Sequence, residues 1–82
     1  MPKTFTEISD WIVASISRHA EIDPSEVQID SSIVNFRLDS LILVNITTEL
    51  EEYMGMELNP AIFWEMGTIE ATTQWILDNQ EV

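Results

Sequence analysis

A helical repeat of apolar residues near the N-terminus limits the fold of this chain more than any other feature. The residues of the repeat share one helix face, because they recur at three- and four-residue steps. They are Phe5, Ile8, Ile12, Ile16 and His19. Thr4 and Glu7 have capping-box spacing, in which each side chain accepts a hydrogen bond from a free backbone N–H at the helix start. We therefore predict an amphipathic helix over residues 4–19.

Residues 20–39 show neither a helical nor an alternating period. Asp23 and Pro24 predict a single capped turn, because proline is preorganised for a first helical position. The segment has too many apolar side chains for a free linker. They are Val27, Ile29, Ile33, Phe36 and Leu38. We predict a long loop whose side chains fill the core, and loops of this length in compact domains are often functional.

A second helix is predicted from Asp39 to about Met54, with Gly55 as its C-terminal stop. Its predicted inner stripe is Leu43, Ile46, Leu50 and Met54. Residues 41–44 are all apolar, and consecutive helical residues point in all directions, so at least one of them must point outward. This run either marks a contact surface beside the helix start or simply widens the buried face.

Two shorter helices complete the predicted fold. Asn59-Pro60 is a cap-then-proline signal for a short helix over residues 61–65, which Gly67 ends. Thr68 is the predicted cap of a fourth helix that runs to about Leu77. Its predicted inner face is Ile69, Thr73, Ile76 and Leu77. With no strand pattern or repeat, we predict one all-α domain, a bundle of three main helices and one short helix.

Charge and composition limit the partners. Fifteen carboxylates and three basic residues give a formal net charge of −12, so nucleic acids and anionic membrane surfaces would be repelled. A protein partner with a basic face would be attracted, although acidic charge also serves solubility alone. No apolar run approaches the roughly 18 residues of a membrane span. The sequence has no secretory-signal pattern and no cysteine, and we expect a cytoplasmic protein.

Known catalytic patterns do not match the sequence. His19 is the only histidine, and no nucleophile-elbow pattern surrounds any serine. We interpret His19 as a helix-capping or surface residue. Residues 30–32 begin like a calcium loop, but Val34 and Asn35 stand where the required glycine should fall. We therefore expect the chain not to be an enzyme.

A serine at the predicted start of the second helix is the candidate site of chemistry. Ser40 follows Asp39, and free backbone N–H groups and the positive end of the helix dipole would favour a phosphodiester there. Asp39 is also suited to bind a cation or a basic residue of a modifying enzyme. Taken alone, the pair also fits an ordinary cap followed by an ordinary first-turn serine.

Several segments together resemble the acyl carrier protein family. In chain order they are residues 22–27, 38–41, 49–58, 62–63 and 68–69. The resemblance implies a four-helix bundle in which Ser40 receives 4′-phosphopantetheine from coenzyme A through a phosphopantetheinyl transferase. It further implies that the thiol of this arm carries acyl groups as thioesters and that partners dock on the second helix.

We expect partner enzymes to bind near Ser40 and along the outward side of its helix. The candidate residues are Asp39, Leu41, Ile42, Asn45, Glu49, Glu51 and Glu52. Arg37 departs from the family pattern, since glycine usually stands there, and it adds charge and bulk. Ile42 and Asn45 stand where acidic residues often follow the serine. Recognition near Ser40 is therefore expected to be more apolar than in primary fatty-acid carriers.

The subtype is suggested by residues 49–53 and 68–71, which most resemble carriers of polyketide or lipopeptide pathways. Some of those carriers accept fatty acids from an adenylating ligase. The implied partners of a monomeric carrier are thus an acyl-loading enzyme, such as a fatty acyl-AMP ligase, and a ketosynthase or other pathway enzyme. The open alternatives are a fatty-acid synthase carrier, a peptidyl carrier for amino acids, and an unmodified acidic interaction module.

Overall fold

The computed structural model describes residues 2–80, which form a bundle of four α-helices with a long first connection. The helices are α1 (Phe5–Ala20), α2 (Ser40–Met54), α3 (Ile62–Met66) and α4 (Ile69–Asn79). Over this described range no strand forms, and Ser32 and Thr68 make one isolated antiparallel bridge. The predicted all-α bundle of three main helices and one short helix is confirmed.

The first helix, α1, begins on its predicted signal. The Oγ1 atom of Thr4 accepts a hydrogen bond from the Glu7 backbone N–H at 3.2 Å, and Glu7 Oε1 accepts one from the Thr4 N–H at 3.1 Å. Phe5 and His19, at the two ends of the predicted inner face, are half-buried. The fully buried apolar residues between them are Ile8, Ile12 and Ile16. The helical phase of α1 is therefore confirmed.

The connection between α1 and α2 contains two short 3-10 helices. The first, Pro24–Glu26, confirms the capped turn. Asp23 Oδ1 accepts hydrogen bonds from the backbone N–H and the hydroxyl of Ser25, which hold the pKa of the Asp23 carboxyl below its ordinary value. The second, Ile33–Phe36, is not apparent from the sequence, because so short an element shows no helical period.

The apolar side chains of this connection pack into the bundle, as the sequence predicts. Val27 and Ile33 are buried in the core. The side chains that lie half-buried against the core are Ile29, Phe36 and Leu38. The backbone N–H of Ile33 also donates to the Gly67 carbonyl at 2.8 Å, which ties the connection to the segment before α4.

The second helix, α2, is held at both ends by the predicted residues. Asp39 Oδ1 accepts a hydrogen bond from the Ile42 backbone N–H at 2.9 Å. Gly55 adopts the left-handed conformation at φ 69° and ends the helix. Within the apolar run 41–44, Leu41 is 68% exposed whereas Leu43 is buried, so the prediction that one member points outward is confirmed. The other buried apolar residues of α2 are Ile46 and Leu50, with Met54 half-buried.

The short helix α3 lies one residue further along the chain than predicted, at Ile62–Met66. The side chain of Asn59 accepts a hydrogen bond from the Ala61 N–H at 2.8 Å, and its carbonyl accepts one from the Ile62 N–H at 2.9 Å. A turn therefore precedes the helix, and Ala61 becomes the residue before its first turn. Gly67, at φ 86°, ends the helix as predicted.

The last helix, α4, begins at its predicted cap, where Thr68 Oγ1 accepts a hydrogen bond from the Ala71 N–H at 3.0 Å. It continues to Asn79, past the predicted end at Leu77, because residues 78–80 include no glycine or proline that would stop it at Leu77. Thr72 is buried although it is polar, since its hydroxyl donates to the Thr68 carbonyl at 2.8 Å. The other buried residues of α4 are Ile69, Thr73 and Ile76.

An aromatic contact fixes α1 to the C-terminal end of α2. The rings of Trp11 and Tyr53 stack with centroids 5.3 Å apart, and the Lys3 ammonium lies 4.5 Å from the Tyr53 centroid. Gln80 exchanges two hydrogen bonds with the backbone of Lys3, at 2.7 and 3.0 Å. These contacts lie about 20 Å along α2 from Ser40, at a rise of 1.5 Å per residue. They stabilise the bundle while leaving the start of α2 open.

Candidate functional site

Ser40 is the first residue of α2, and it is exposed. Asp39 precedes it in an extended conformation and caps the helix through Ile42, while its carbonyl accepts the Leu43 N–H at 3.2 Å. Among the described residues, no hydrogen bond occupies the backbone N–H groups of Ser40 and Leu41. The hydroxyl of Ser40 thus stands beside two free donors at the positive end of the helix dipole. This environment stabilises a negative charge attached to Ser40.

Two large apolar side chains are strongly exposed in this part of the chain. Leu41 follows Ser40 directly and is 68% exposed, and Val34, in the preceding 3-10 helix, is 66% exposed. Apolar side chains held in solvent at a helix start are typical of a contact surface. Val34 is not among the predicted partner-binding residues, because an apolar residue in an irregular segment carries no sequence signal for exposure.

Most of the residues predicted to bind partners are exposed on or beside α2. The exposed ones are Asp39, Leu41, Asn45, Glu49 and Glu52. Ile42 is half-buried. Glu49 has basic neighbours, since its carboxylate oxygens lie 4.0 Å from Arg18 Nη2 and 3.8 Å from His19 Nε2. These contacts join α1 and α2 but are too exposed to contribute much stability.

Glu51 corrects one expectation from the sequence. It is half-buried, and its Oε2 atom accepts a hydrogen bond from the backbone N–H of Leu58 at 2.8 Å. The expectation that Glu51 lies on the outward side of α2 is therefore wrong. The physical reason is that the chain after Gly55 turns back over α2 to bury Leu58, whose N–H then needs a partner.

Arg37 adopts a left-handed backbone conformation, at φ 55° and ψ 34°. It ends the 3-10 helix Ile33–Phe36, and its N–H donates to the Val34 carbonyl at 3.2 Å. Glycine adopts this conformation without steric cost, whereas other residues do so at a cost in free energy. The backbone thus accounts for the glycine that usually stands at this position in the family that the sequence resembles.

A cavity of about 640 Å³ opens beside the start of α2. It lies between the end of α1, the 20–39 connection and the first turn of α2. Leu38 and Ile42 both line it, and each is two residues from Ser40, so the cavity is adjacent to that serine. No sequence pattern predicts this cavity, because its walls come from three separate segments.

Other kinds of site find no support in the part of the chain that the structure describes. Over residues 2–80, no group of three or more histidine, cysteine, aspartate or glutamate side chains is arranged to hold a metal ion. Over the same residues, no helix is long and apolar enough to cross a membrane.

Two solved carrier structures share this fold. A free-standing peptidyl carrier protein from a secondary metabolic pathway of Acinetobacter baumannii has a TM-score of 0.87 at 21% identity, over 94% of this chain and 96% of that one. The HMG-ACPI domain of the CurA module from Lyngbya majuscula has a TM-score of 0.83 at 19% identity, over 94% of this chain and 78% of that one. At these identities, the likeness establishes the carrier-protein fold alone.

The family follows from the sequence match. Residues 10–76 match the family described as Phosphopantetheine attachment site, and this match covers most of the chain. The chain therefore belongs to this family of carrier domains, which bind a 4′-phosphopantetheine group. The exposed Ser40 hydroxyl beside two free backbone donors fits the phosphodiester of such a group.

The chain is also similar to parts of polyketide synthases. Polyketide synthase PksL of Bacillus subtilis is 24% identical over 78 residues, which is 95% of this chain and 2% of that protein. Polyketide synthase PksR of the same organism is 38% identical over 60 residues, which is 72% of this chain and 2% of that protein. One phenolphthiocerol/phthiocerol polyketide synthase protein of Mycobacterium tuberculosis is 27% identical over 70 residues, which is 85% of this chain and 4% of that protein. The chain thus spans only a few per cent of the length of these relatives.

Proposed function

We propose that this chain is an acyl carrier domain whose 4′-phosphopantetheine arm is attached to Ser40. The observation that carries the proposal is the exposed Ser40 hydroxyl at the capped start of α2, within the residues that match the family. When attached, the arm supplies a terminal thiol that holds an acyl group as a thioester. The chain itself supplies the attachment point and the surface that partner enzymes recognise.

In the attachment reaction, the hydroxyl of Ser40 is the group of this chain that changes its bonds. The Ser40 oxygen forms a bond to the phosphorus that carries pantetheine in coenzyme A, and the pyrophosphate bond of coenzyme A breaks. Adenosine 3′,5′-bisphosphate leaves, and the serine proton passes to a base of the transferase. Asp39 supports this proposal, because it is exposed next to Ser40 and its carboxylate can bind a basic residue of the transferase.

The direct test is modification of the purified chain. Incubation with coenzyme A and a broad-specificity phosphopantetheinyl transferase is expected to add the mass of one phosphopantetheine, and fragmentation is expected to locate that mass on Ser40. A folded chain that stays unmodified would instead favour an unmodified acidic interaction module.

We further propose that partner enzymes approach the start and outward side of α2. The exposed part of this docking surface consists of Asp39, Leu41, Asn45, Glu49 and Glu52. Ile42 also belongs to it, although it is half-buried and lines the cavity beside Ser40. The surface combines an exposed apolar side chain beside Ser40 with carboxylates further along the helix. Such a combination suits a carrier that meets several enzymes in turn, because charge speeds encounter while a small apolar contact provides selectivity. Glu51 contributes less, because its carboxylate holds the Leu58 N–H.

The reversal of one charge on this surface is expected to slow recognition by a partner with a basic face. In Glu52→Lys, kcat/KM for modification by the transferase is expected to fall several-fold at low salt and much less at high salt. Asp10→Lys is the matched control, since Asp10 is an exposed carboxylate on α1 and the net charge changes equally. Equal losses in both variants would mean that net charge alone matters and would contradict the proposed docking surface.

We also propose that the acyl group on the arm belongs to a polyketide or lipopeptide pathway. The support for this proposal is the set of polyketide synthase relatives, together with the neutral surface formed by Leu41 and Asn45 beside Ser40. A ligase that forms an acyl adenylate delivers a mixed anhydride, from which a thiol displaces a good leaving group. The chain contributes by presenting the arm beside the neutral side chains of Leu41 and Asn45, which positions the reacting groups.

We therefore expect the modified chain to accept a fatty acyl group from a fatty acyl-AMP ligase more readily than malonyl from a malonyl transferase. Loading assays run in parallel and followed by intact mass would measure the two rates, with the unmodified chain as the blank. Preferential malonylation would assign the chain to extender-unit carriers, and preferential aminoacylation by an adenylation enzyme would assign it to peptidyl carriers. Either result would contradict the fatty-acyl proposal and leave the role of Ser40 intact.

A further inference from the structure

Arg37 is the cation of this chain whose role the fold does not explain. A residue with a side chain is held there in the left-handed region at φ 55°, where glycine would be free of strain. The side chain is exposed, so burial of apolar surface does not offset this cost. The same conformation at Glu21 ends α1, so the backbone of Arg37 is explained by the helix end, and it is the guanidinium of Arg37 that the fold leaves without a role.

The other two basic residues of the chain have partners. Arg18 lies 4.0 Å from Glu49, and the Lys3 ammonium lies over the Tyr53 ring. Over residues 2–80, no carboxylate oxygen lies within 4.0 Å of the Arg37 guanidinium. In a chain of net charge −12, this guanidinium is available to an anion that arrives from outside the protein.

The position of Arg37 suits an anion on Ser40. Arg37 and Ser40 are three positions apart along the chain, so their Cα atoms are at most about 11 Å apart even in a fully extended chain. Both side chains are exposed, and the guanidinium fork matches the geometry of two phosphate oxygens. The phosphodiester would thus lie between Arg37 and the free N–H groups at the start of α2.

Arg37 is also one of the residues that line the cavity beside Ser40. Its polar lining includes Gln28, Ser31 and Asn35, whose side chains suit the amide and hydroxyl groups of pantetheine. Its apolar lining includes Phe36, Leu38 and Ile42, which suit the methyl groups of pantetheine. At about 640 Å³, it is within the usual size of a small-molecule site.

Charge determines which part of the arm fits inside this cavity. Glu26 also lines it, as does His19, and the carboxylate of Glu26 would repel a phosphate placed inside. The pantetheine part of the arm is uncharged, so Glu26 would not repel it. The phosphodiester therefore belongs at the rim, where Arg37 and the start of α2 are, and the pantetheine part belongs inside.

We propose that Arg37 pairs with the phosphodiester on Ser40 and directs the pantetheine part of the arm into the cavity between the end of α1, the 20–39 connection and α2. The inference rests on the proposed attachment to Ser40. Arg37 is a positioning residue in this role, because it orients the arm and takes no part in the chemistry of acyl transfer.

The test compares amide NMR spectra of the chain before and after attachment of the arm, with intact mass used first to establish that the arm is present. In the unsubstituted chain, attachment is expected to shift the amide signals of Gln28, Ser31 and Asn35 in addition to those around Ser40. In Arg37→Gly, the shifts of these cavity residues are expected to fall by a few-fold at low salt, as for the loss of an exposed ion pair. The glycine suits the left-handed backbone, so the fold is expected to be retained.

Two further variants separate the proposal from its competitors. Arg37→Lys keeps the charge and is expected to restore part of the cavity shifts. Arg18→Gln also removes one positive charge, but from the arginine that lies beside Glu49, and it is expected to leave the shifts of the cavity residues unchanged.

Identical shifts in the unsubstituted chain and in Arg37→Gly would overturn the proposal. Shifts confined to residues 39–42 in the unsubstituted chain would also overturn it. A slower modification of Arg37→Gly with unchanged shifts would assign Arg37 to transferase binding and would also overturn it. Failure of the unsubstituted chain to gain any mass would overturn the attachment itself.

Discussion

In the Ser40→Ala variant, we expect the gain of mass on incubation with coenzyme A and transferase to disappear completely while the domain stays folded. Ser40 provides the oxygen that forms the bond to phosphorus, and alanine has no substitute for it. The helix start is expected to survive, because Asp39 caps it through the Ile42 N–H and alanine is favourable within a helix. Intact mass measures the modification, and circular dichroism measures the fold.

Ser32→Ala is the matched control for this experiment. Ser32 is also exposed, it is the cap residue of the 3-10 helix Ile33–Phe36, and its side chain makes no capping hydrogen bond. This variant is expected to gain the full mass of one arm. If Ser40→Ala still gains an arm, the attachment site lies elsewhere and the central proposal fails.

The Leu50→Ala variant is expected to have the largest effect on stability. Leu50 is 0% exposed in the middle of the inner face of α2, and its truncation leaves a cavity among packed side chains. The expected loss is about 2–5 kcal/mol of unfolding free energy. The whole domain has roughly 4–12 kcal/mol at the usual stability per residue. Urea unfolding followed by circular dichroism would measure the change.

Leu41→Ala provides the same chemical change on the same helix at a position that is 68% exposed. We expect it to change the unfolding free energy by less than about 0.5 kcal/mol. The melting temperatures of the two variants should then differ clearly, since each kcal/mol corresponds to about 4–8 °C in a domain of this size. Similar losses in the two variants would mean that the inner and outer faces of α2 are wrongly assigned.

The position of Glu51 shows why a docking surface is hard to predict from charge alone. Glu49, Glu51 and Glu52 are close in sequence, but one of them supports the fold. The chain after α2 folds back and needs an acceptor for the Leu58 N–H, and Glu51 is the carboxylate that it reaches. A substitution at Glu51 would therefore mix an effect on docking with an effect on the fold, which is why Glu52 is the better position to test.

The parts of the fold that could be predicted are those set by nearby residues. The capping pair Thr4 and Glu7 and the stop at Gly55 act within one helical turn, and the structure has both where the sequence predicts them. The start of α3 is displaced by one residue, because the side chain of Asn59 makes a turn with Ala61 before the helix begins. Local signals thus give the helices and their order, with small errors at the ends.

By itself, the sequence determined the helical class, the order of the helices and the candidate serine, because helical periods, caps and stops depend on residues within a few positions of one another. Only the tertiary structure decided which carboxylates remain free, how Arg37 is held, and that a cavity opens beside Ser40. These features depend on contacts between segments that are distant along the chain. The return of the backbone to Glu51 and the packing of the 20–39 connection against α1 and α2 leave no local pattern, so they follow only from the packed bundle.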